Sequence, residues 1–337
     1  MGAPARFVVG TGRCGSTLLS RMLAMNRKVL NVFELFSGLD TSFRFTDRPV
    51  SGPELAHHLR LDHPMLTMVM KRGGEVPEVV YPFGAPGSRY GQGDPIPWAL
   101  GIAIPRISDT PDALFDELLA RVEASPTRPL GAHYRDLFDW LTERSQRTGW
   151  IERSGTSIDT LGDLVRLFPE ARFVHIHRDG PEAALSMREY AVLRVAVAVM
   201  NGLAGEIDYT HEALERLERE DGPAIDRLLA ARPPIELYGK YWSDQILRGD
   251  AARRMLPDDV FLDVRFEDLV VAPREVLSRI AAFLELPLDD GTGEGAWIEK
   301  AATLSHGLPK RRAPELPEAE RSRLEEACRE AMAVLGR

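Results

Sequence analysis

The stretch that decides the fold is Phe7-Val8-Val9-Gly10-Thr11-Gly12-Arg13-Cys14-Gly15-Ser16-Thr17-Leu18-Leu19. Phe7 to Val9 reads as a short strand that runs into a turn rich in glycine, from Gly10 to Gly15. From Ser16 to Asn26 the apolar residues Leu18, Leu19, Met22 and Leu23 recur at helical spacing. Val29 to Phe33 follows as a second strand. Strand, glycine turn, helix and strand in that succession is the opening unit of a parallel α/β sheet.

Gly10 to Thr17 has the spacing of a P-loop, G-x-x-x-x-G-K-S/T, except that Ser16 stands where the lysine belongs. The glycines let main-chain N–H groups converge on an anion, and the helix that follows adds its positive N-terminal end. What is missing is the lysine that reaches the β- and γ-phosphates of a nucleoside triphosphate. A kinase or NTPase would also need an acidic residue at another strand end to position magnesium. The strand Arg172 to His177 ends instead in Arg178, with Asp179 after it. The turn reads as a site for phosphate-like anions that works without a metal.

Further along, Trp150-Ile151-Glu152 is a strand, Ile158 to Leu167 a helix and Arg172 to His177 another strand. Pro181 opens the next helix at a favoured first-turn position. Arg178, at a strand's C-terminal end, faces the crevice where α/β sheets bind ligands. Ser186 lies about two helical turns on, so a guanidinium and a hydroxyl can hold one phosphate between them. His175 and His177 sit on a buried strand, where at most one is expected to face the crevice.

Helical patterns also cover Asp112–Glu123, Tyr134–Arg147, Thr210–Leu229, Pro234–Met255, Pro273–Leu284 and Pro317–Leu335, and Val260–Phe266 is a strand. From Ser51 to Gly101 the signal weakens, and glycine and proline crowd Gly73 to Pro97. A loop of that length is either a functional lid or disordered.

Lysine plus arginine number 42 against 51 aspartate plus glutamate, a net charge of −9, which argues against gripping nucleic acid through its phosphates. A hydrophobic content of 44% over 337 residues supports a substantial core. Cys14 and Cys328 are the only cysteines, so there is no disulfide framework and a reducing compartment fits. Met1 to Gly10 has no basic region followed by a long apolar run. The most apolar window, Tyr190 to Leu203, is interrupted by Arg194 and falls short of the ~20 residues that span a bilayer. It reads as a buried or pocket-lining helix. The expectation is a cytoplasmic protein without a membrane span.

Taken together, these residues resemble the sulfotransferases that use 3′-phosphoadenosine 5′-phosphosulfate (PAPS), most closely their bacterial and tyrosylprotein-type branches. That family has a lysine-poor P-loop, matched here by Thr11-Gly12-Arg13-Cys14-Gly15-Ser16-Thr17-Leu18. Its R-D-G/P strand end, with serine eight residues after the arginine, is matched by Arg178 and Ser186. Its W-I/V-E/D-K-S/T-P stretch is Trp150-Ile151-Glu152-Arg153-Ser154-Gly155, and Leu167 to Phe173 resembles the approach to the next strand. Val264-Arg265-Phe266-Glu267-Asp268-Leu269 with Pro273, then Phe283 to Pro287, look like its R-Y-E-D-L-x-x-x-P and F-L-x-I/L-P elements. The chain departs from the family at Arg153, usually lysine, and at Gly155, usually proline. Arginine keeps the positive charge but cannot give up a proton.

The resemblance implies a P-loop NTPase-like parallel sheet flanked by helices, with helical and loop insertions. It implies a single sulfotransferase domain over residues 1–337, with a donor-binding core from 5–36, 148–190 and 258–290. The insertions 45–130 and 187–255 would then form the acceptor site. The implied reaction moves a sulfuryl group from PAPS to a hydroxyl on a small-molecule or carrier-bound acceptor, leaving adenosine 3′,5′-bisphosphate (PAP), with no metal. The apolar Tyr190–Leu203 window suggests a hydrophobic acceptor.

By the same resemblance, Gly12, Arg13, Cys14, Gly15, Ser16, Thr17 and Leu18 bind the 5′-phosphosulfate, and Arg178 and Ser186 the 3′-phosphate. Lys310 and Arg311, in the basic run Gly307 to Arg312, would close over that 3′-phosphate. Arg13 and Arg153 would sit by the transferring group. Glu34, 17 residues after Thr17, would deprotonate the acceptor, its pKa raised by Phe33, Leu35 and Phe36 around it. The rival readings are a P-loop nucleotide kinase or NTPase and a nucleotide-binding relative without chemistry. The sequence leaves the oligomeric state open.

Overall fold

The structure, a computed structural model, describes residues 4–203, 211–220 and 222–336. Met1 to Ala3, read for a leader segment, and Thr210 and Asp221, read as part of one helix, lie outside them.

β1 (Arg6–Val9) runs through the glycine turn into α1 (Ser16–Leu23) and β2 (Val29–Phe33). A small antiparallel ribbon of β3 (Pro49–Val50) and β4 (Arg128–Pro129) brackets α2 (Gly52–Arg60), α3 (Pro64–Lys71) and α4 (Pro111–Glu123). Then come α5 (Leu130–Arg144), β5 (Gly149–Arg153), α6 (Leu161–Leu167) and β6 (Arg172–His177). The helices α7 (Gly180–Glu189), α8 (Ala191–Met200), α9 (His211–Glu220), α10 (Gly222–Ala230) and α11 (Ile235–Arg253) lead to β7 (Phe261–Arg265). They are followed by α12 (Phe266–Val271), α13 (Pro273–Phe283), α14 (Ala296–Ala302) and α15 (Glu318–Val334).

β2, β5, β1, β6 and β7, in that spatial order, form one parallel sheet. Helices cover both faces, which is why β1 and β5 are buried along their whole length. Alternate side chains go to opposite faces. Phe7, Trp150 and Phe173 enter one core, where the Phe7 ring stacks on Phe173 at 5.5 Å and meets Trp150 edge-on at 5.8 Å. Val8, Ile151 and Val174 enter the other, against Leu19 and Met22 of α1 and Trp297 of α14. Parallel pairing brings the C-terminal ends of β1, β2, β5 and β6 to one edge. The glycine turn, Glu34, Arg153 and Arg178 therefore gather there.

Several elements differ from the sequence reading. α2 and α3 occupy the weak-signal stretch after Ser51. The cue for α2 was local: the Ser51 side chain accepts from the N–H of Glu54 at 3.3 Å, a capped helix start with Pro53 in its first turn. The helix expected over Thr210–Leu229 is two helices, the second starting at Gly222-Pro223. α1 stops at Leu23, and Asn26 instead donates its side-chain amide to the carbonyl of Pro287 at 2.9 Å. The Gly73–Pro97 excursion has no helix or strand but is tied down, with the Tyr81 hydroxyl donating to Asp112 at 2.6 Å. Among the described residues, no helix is long and apolar enough to cross a membrane.

Candidate active site

The glycine turn is shaped by what surrounds it. Gly15 has φ 95°, and a Cβ there would fall 2.2 Å from the Phe266 ring. A Cβ on Gly10 would lie 2.6 Å from the carbonyl oxygen of Ile176. Arg13 also takes a left-handed backbone, φ 63°, a strained choice for a non-glycine residue. α1 starts at Gly15 with no side-chain cap and no acidic residue in its first turn. Its first N–H groups and positive dipole end are left for an anion. Gly12, Arg13, Gly15, Ser16 and Thr17 line one cavity of about 550 Å³. Cys14 and Leu18 do not: Cys14 is fully buried in the core with Val8 and Ile176, and Leu18 packs against the same cluster.

Glu34 lies at the end of β2 with φ 56°, and its N–H donates to the Arg153 carbonyl at 2.7 Å, extending the ladder by one residue. Its side chain meets three donors. Arg153 Nη1 bonds to Oε1, while Oε2 accepts from the Ser37 hydroxyl at 2.5 Å and the Gly155 N–H at 2.7 Å. Arg153 is almost fully buried, its guanidinium over the Phe33 ring at 4.4 Å and its Nη2 bonded to Thr17 Oγ1. Burial pulls the Arg153 guanidinium below the usual arginine range. The Glu34 carboxylate is thus held by one cation and two neutral donors.

Beneath this turn lies Glu152. Burial pushes its carboxyl up to about 8, against opposing hydrogen bonds from Ser154 and from the main chain of Phe36 and Leu35. The Ser154 hydroxyl donates to Glu152 at 2.5 Å and accepts from the Phe36 N–H at 3.0 Å. The pair braces the segment just after Glu34.

Arg178 lines the same cavity, its guanidinium over the Phe266 ring at 5.0 Å. Ser186 lines it as well, but its hydroxyl accepts from Arg13 Nε at 3.1 Å. Lys310 and Arg311 are not brought into this cavity. Lys310 pairs with Glu315, and Arg311 with Asp179 at 3.3 Å. The main-chain N–H groups of Arg312 and Ala313 donate to Glu182, pinning that loop to the first turn of α7. His175 and His177 are both buried, and both line a separate 160 Å³ cavity. Two residues apart, they share a face of β6, and His175 Nδ1 lies 2.8 Å from Asp263.

Several lining residues went unnoticed in the sequence. Trp98 donates its indole N–H to the Glu34 carbonyl, and Glu78 accepts from the Tyr190 hydroxyl at 2.6 Å. Tyr190 in turn lies under the Arg13 guanidinium at 5.2 Å. No periodicity marks Glu78 or Trp98, because both lie in or beside the irregular excursion. One wall of the cavity is apolar: Met65 from α3, Val192, Leu193, Ala196 and Met200 from α8, and Leu214 from α9.

Residues 228–290 match the sequence model of a sulfotransferase family. That segment contains α11, β7 and α13. No curated protein sequence matches the chain significantly. Among solved structures, the sulfotransferase domain from the curacin biosynthetic pathway is 15% identical, with a TM-score of 0.48, covering 100% of this chain and 99% of that one. A sulfotransferase from Mycobacterium avium is 17% identical, with a TM-score of 0.43, covering 99% and 76%. A retinol dehydratase in complex with retinol and PAP is 11% identical, with a TM-score of 0.32, covering 98% and 82%.

Proposed function

We propose that this protein transfers a sulfuryl group from PAPS to a hydroxyl on a hydrophobic small-molecule or carrier-bound acceptor. The observation that carries the reading is the convergence of Arg13, Arg178, Arg153 and an uncapped helix start with the carboxylate of Glu34 on one cavity. The residues fit an anionic nucleotide. Gly15 has no Cβ to collide with the Phe266 ring, so the turn can form beside it, and the missing P-loop lysine disfavours a triphosphate. When bound, the donor supplies an activated sulfuryl group on a phosphate that leaves readily.

In this reading the N–H groups around Gly15, Ser16 and Thr17, with Arg13, hold the 5′-phosphosulfate, and Arg178 with Ser186 holds the 3′-phosphate. Arg153 offsets negative charge that builds up on the transferring group. A carboxylate has about four acceptor positions. Arg153, Ser37 and Gly155 take three at Glu34, so one remains on Oε1 for the acceptor hydroxyl. Glu34 takes that proton as the acceptor oxygen bonds to sulfur and the sulfur–oxygen bond to the leaving phosphate breaks. The wall of Met65, Leu193, Ala196 and Met200 would hold an apolar acceptor body. The whole chain then acts as one catalytic unit, segments 45–130 and 187–255 supplying the acceptor side. A cytoplasmic location belongs to the same proposal and rests on the two free, buried cysteines.

The deciding experiment is thermal unfolding with PAP and with ATP plus magnesium, followed by transfer assays from labelled PAPS to long-chain alcohols. PAP should raise the melting temperature without magnesium, and label should appear in the alcohol. Stabilisation by ATP–magnesium alone would favour the kinase or NTPase reading. PAP binding without transfer to any hydroxyl would favour a non-catalytic relative.

A further inference from the structure

A second cavity, of about 630 Å³, opens where the end of α7, α8, the turn before α11 and α15 meet. It shares no residue with the cavity around Glu34. Four arginines line it: Arg188, Arg194, Arg232 and Arg323. Arg323 is matched by Glu236 at 3.0 Å, and Glu189 on the rim is taken by Arg312 at 2.6 Å. Glu320 is the other carboxylate of the wall. Arg188, Arg194 and Arg232 have no carboxylate within ion-pair distance among the described residues. Some surface arginines elsewhere are matched, as Arg89 is by Asp116 and Arg144 by Glu117.

Two buried polar atoms strengthen the case. Arg194 Nε is inaccessible and has no acceptor, although its Nη1 donates to the Glu189 carbonyl at 3.2 Å. Among the described residues, the hydroxyl of the fully buried Tyr238 has no hydrogen-bond partner, and its charged neighbours are Arg194, Arg188 and Arg232. Three guanidinium groups that line one cavity and form no ion pair among the described residues repel one another, and a bound anion reduces that cost. A tetrahedral oxyanion offers several oxygens to guanidinium forks, which suits phosphate better than a planar carboxylate.

We infer that this cavity is a second anion site that takes a phosphate group, either inorganic phosphate or a monoester on a small molecule. It lies across α8 from the proposed donor and acceptor cavity, since Arg194 faces it while Leu193 and Ala196 face the other. The inference does not depend on the sulfotransferase reading.

The test is calorimetric titration of the full chain with inorganic phosphate at low ionic strength, where such contacts are least screened. Arg188→Gln/Arg232→Gln should weaken one class of sites about tenfold or more, while Arg13→Gln leaves that class unchanged. An isotherm of the double variant that superposes on wild type overturns the inference, as does loss of all phosphate binding in Arg13→Gln alone. Arg188 forms no hydrogen bond or ion pair among the described residues, so Arg188→Gln alone gives the same reading if the double variant does not fold. Repeating the titration with glycerol phosphate separates the sources: tighter binding identifies a monoester, equal or weaker binding the free ion.

Discussion

The main-chain N–H of Gly155 donates to Oε2 of Glu34 at 2.7 Å, and a Cβ at position 155 would stand 3.3 Å from Oε1 of the same carboxylate. Proline, the residue the family resemblance leads one to expect there, has no N–H to give. Glycine at 155 is therefore matched to the way this chain holds its carboxylate.

Gly155→Pro should lower kcat by about tenfold to a hundredfold, the worth of a hydrogen bond to a charged group, with PAP affinity held within about twofold. Gly155→Ala keeps the N–H and only crowds the carboxylate, so its kcat should fall between those of proline and glycine. Steady-state kinetics on the three proteins reads this directly. Equal kcat for Gly155→Pro and wild type would show that the N–H is dispensable.

Glu34→Gln keeps the shape and removes the proton acceptor. We expect kcat to fall by about 10²–10⁴ while PAP binding is nearly unchanged. Glu34→Ala should also unfold more easily, by about 3–5 kcal/mol, because it strands the buried Arg153 without its partner. Full turnover by Glu34→Gln on the true acceptor would remove Glu34 from the chemistry.

Glu152 makes stability depend on pH. Its native carboxyl is pushed up to about 8 from an ordinary 4.5, so between those values the folded chain holds a proton that the unfolded chain has released. Its contribution is fully present below about 4.5 and is lost as pH rises through about 8, with a slope approaching ~1.4 kcal/mol per pH unit. Glu152→Gln has no proton to release and should flatten that slope. Urea midpoints from pH 5 to pH 8 measure it, and parallel curves for the two proteins would count against the assignment.

Arg178→Ala should weaken PAP by roughly 1.5–3 kcal/mol, the loss of a charge-assisted contact. Adenosine 5′-phosphosulfate has no 3′-phosphate and should lose far less. Calorimetry with both nucleotides decides between them, since equal losses would mean that Arg178 does not read the 3′-phosphate.

What the amino-acid sequence determined by itself is the scaffold and the places where chemistry can enter it. The bounds of Val29–Phe33 and Arg172–His177 match the observed strands residue for residue. The glycine turn, the first-turn Pro181 and the position of Glu34 at a strand end also stand where the sequence put them. These features rest on local rules: short apolar runs bounded by turn residues, helical spacing, and backbone angles that glycine takes without strain.

Only the tertiary structure decided which way each side chain faces and what it meets. Cys14 turns into the core while its neighbours line the cavity, and His175 and His177 line a different cavity altogether. The basic run after Gly307 is matched by Glu315, Asp179, Glu182 and Glu189, carboxylates placed there by α7 and the chain that follows. Arg153 faces Glu34 because β5 lies beside β2, and Trp98 reaches the Glu34 carbonyl from an excursion that carries no periodic signal. Such partners are chosen by packing and charge between residues far apart in the chain, and no local pattern encodes that choice.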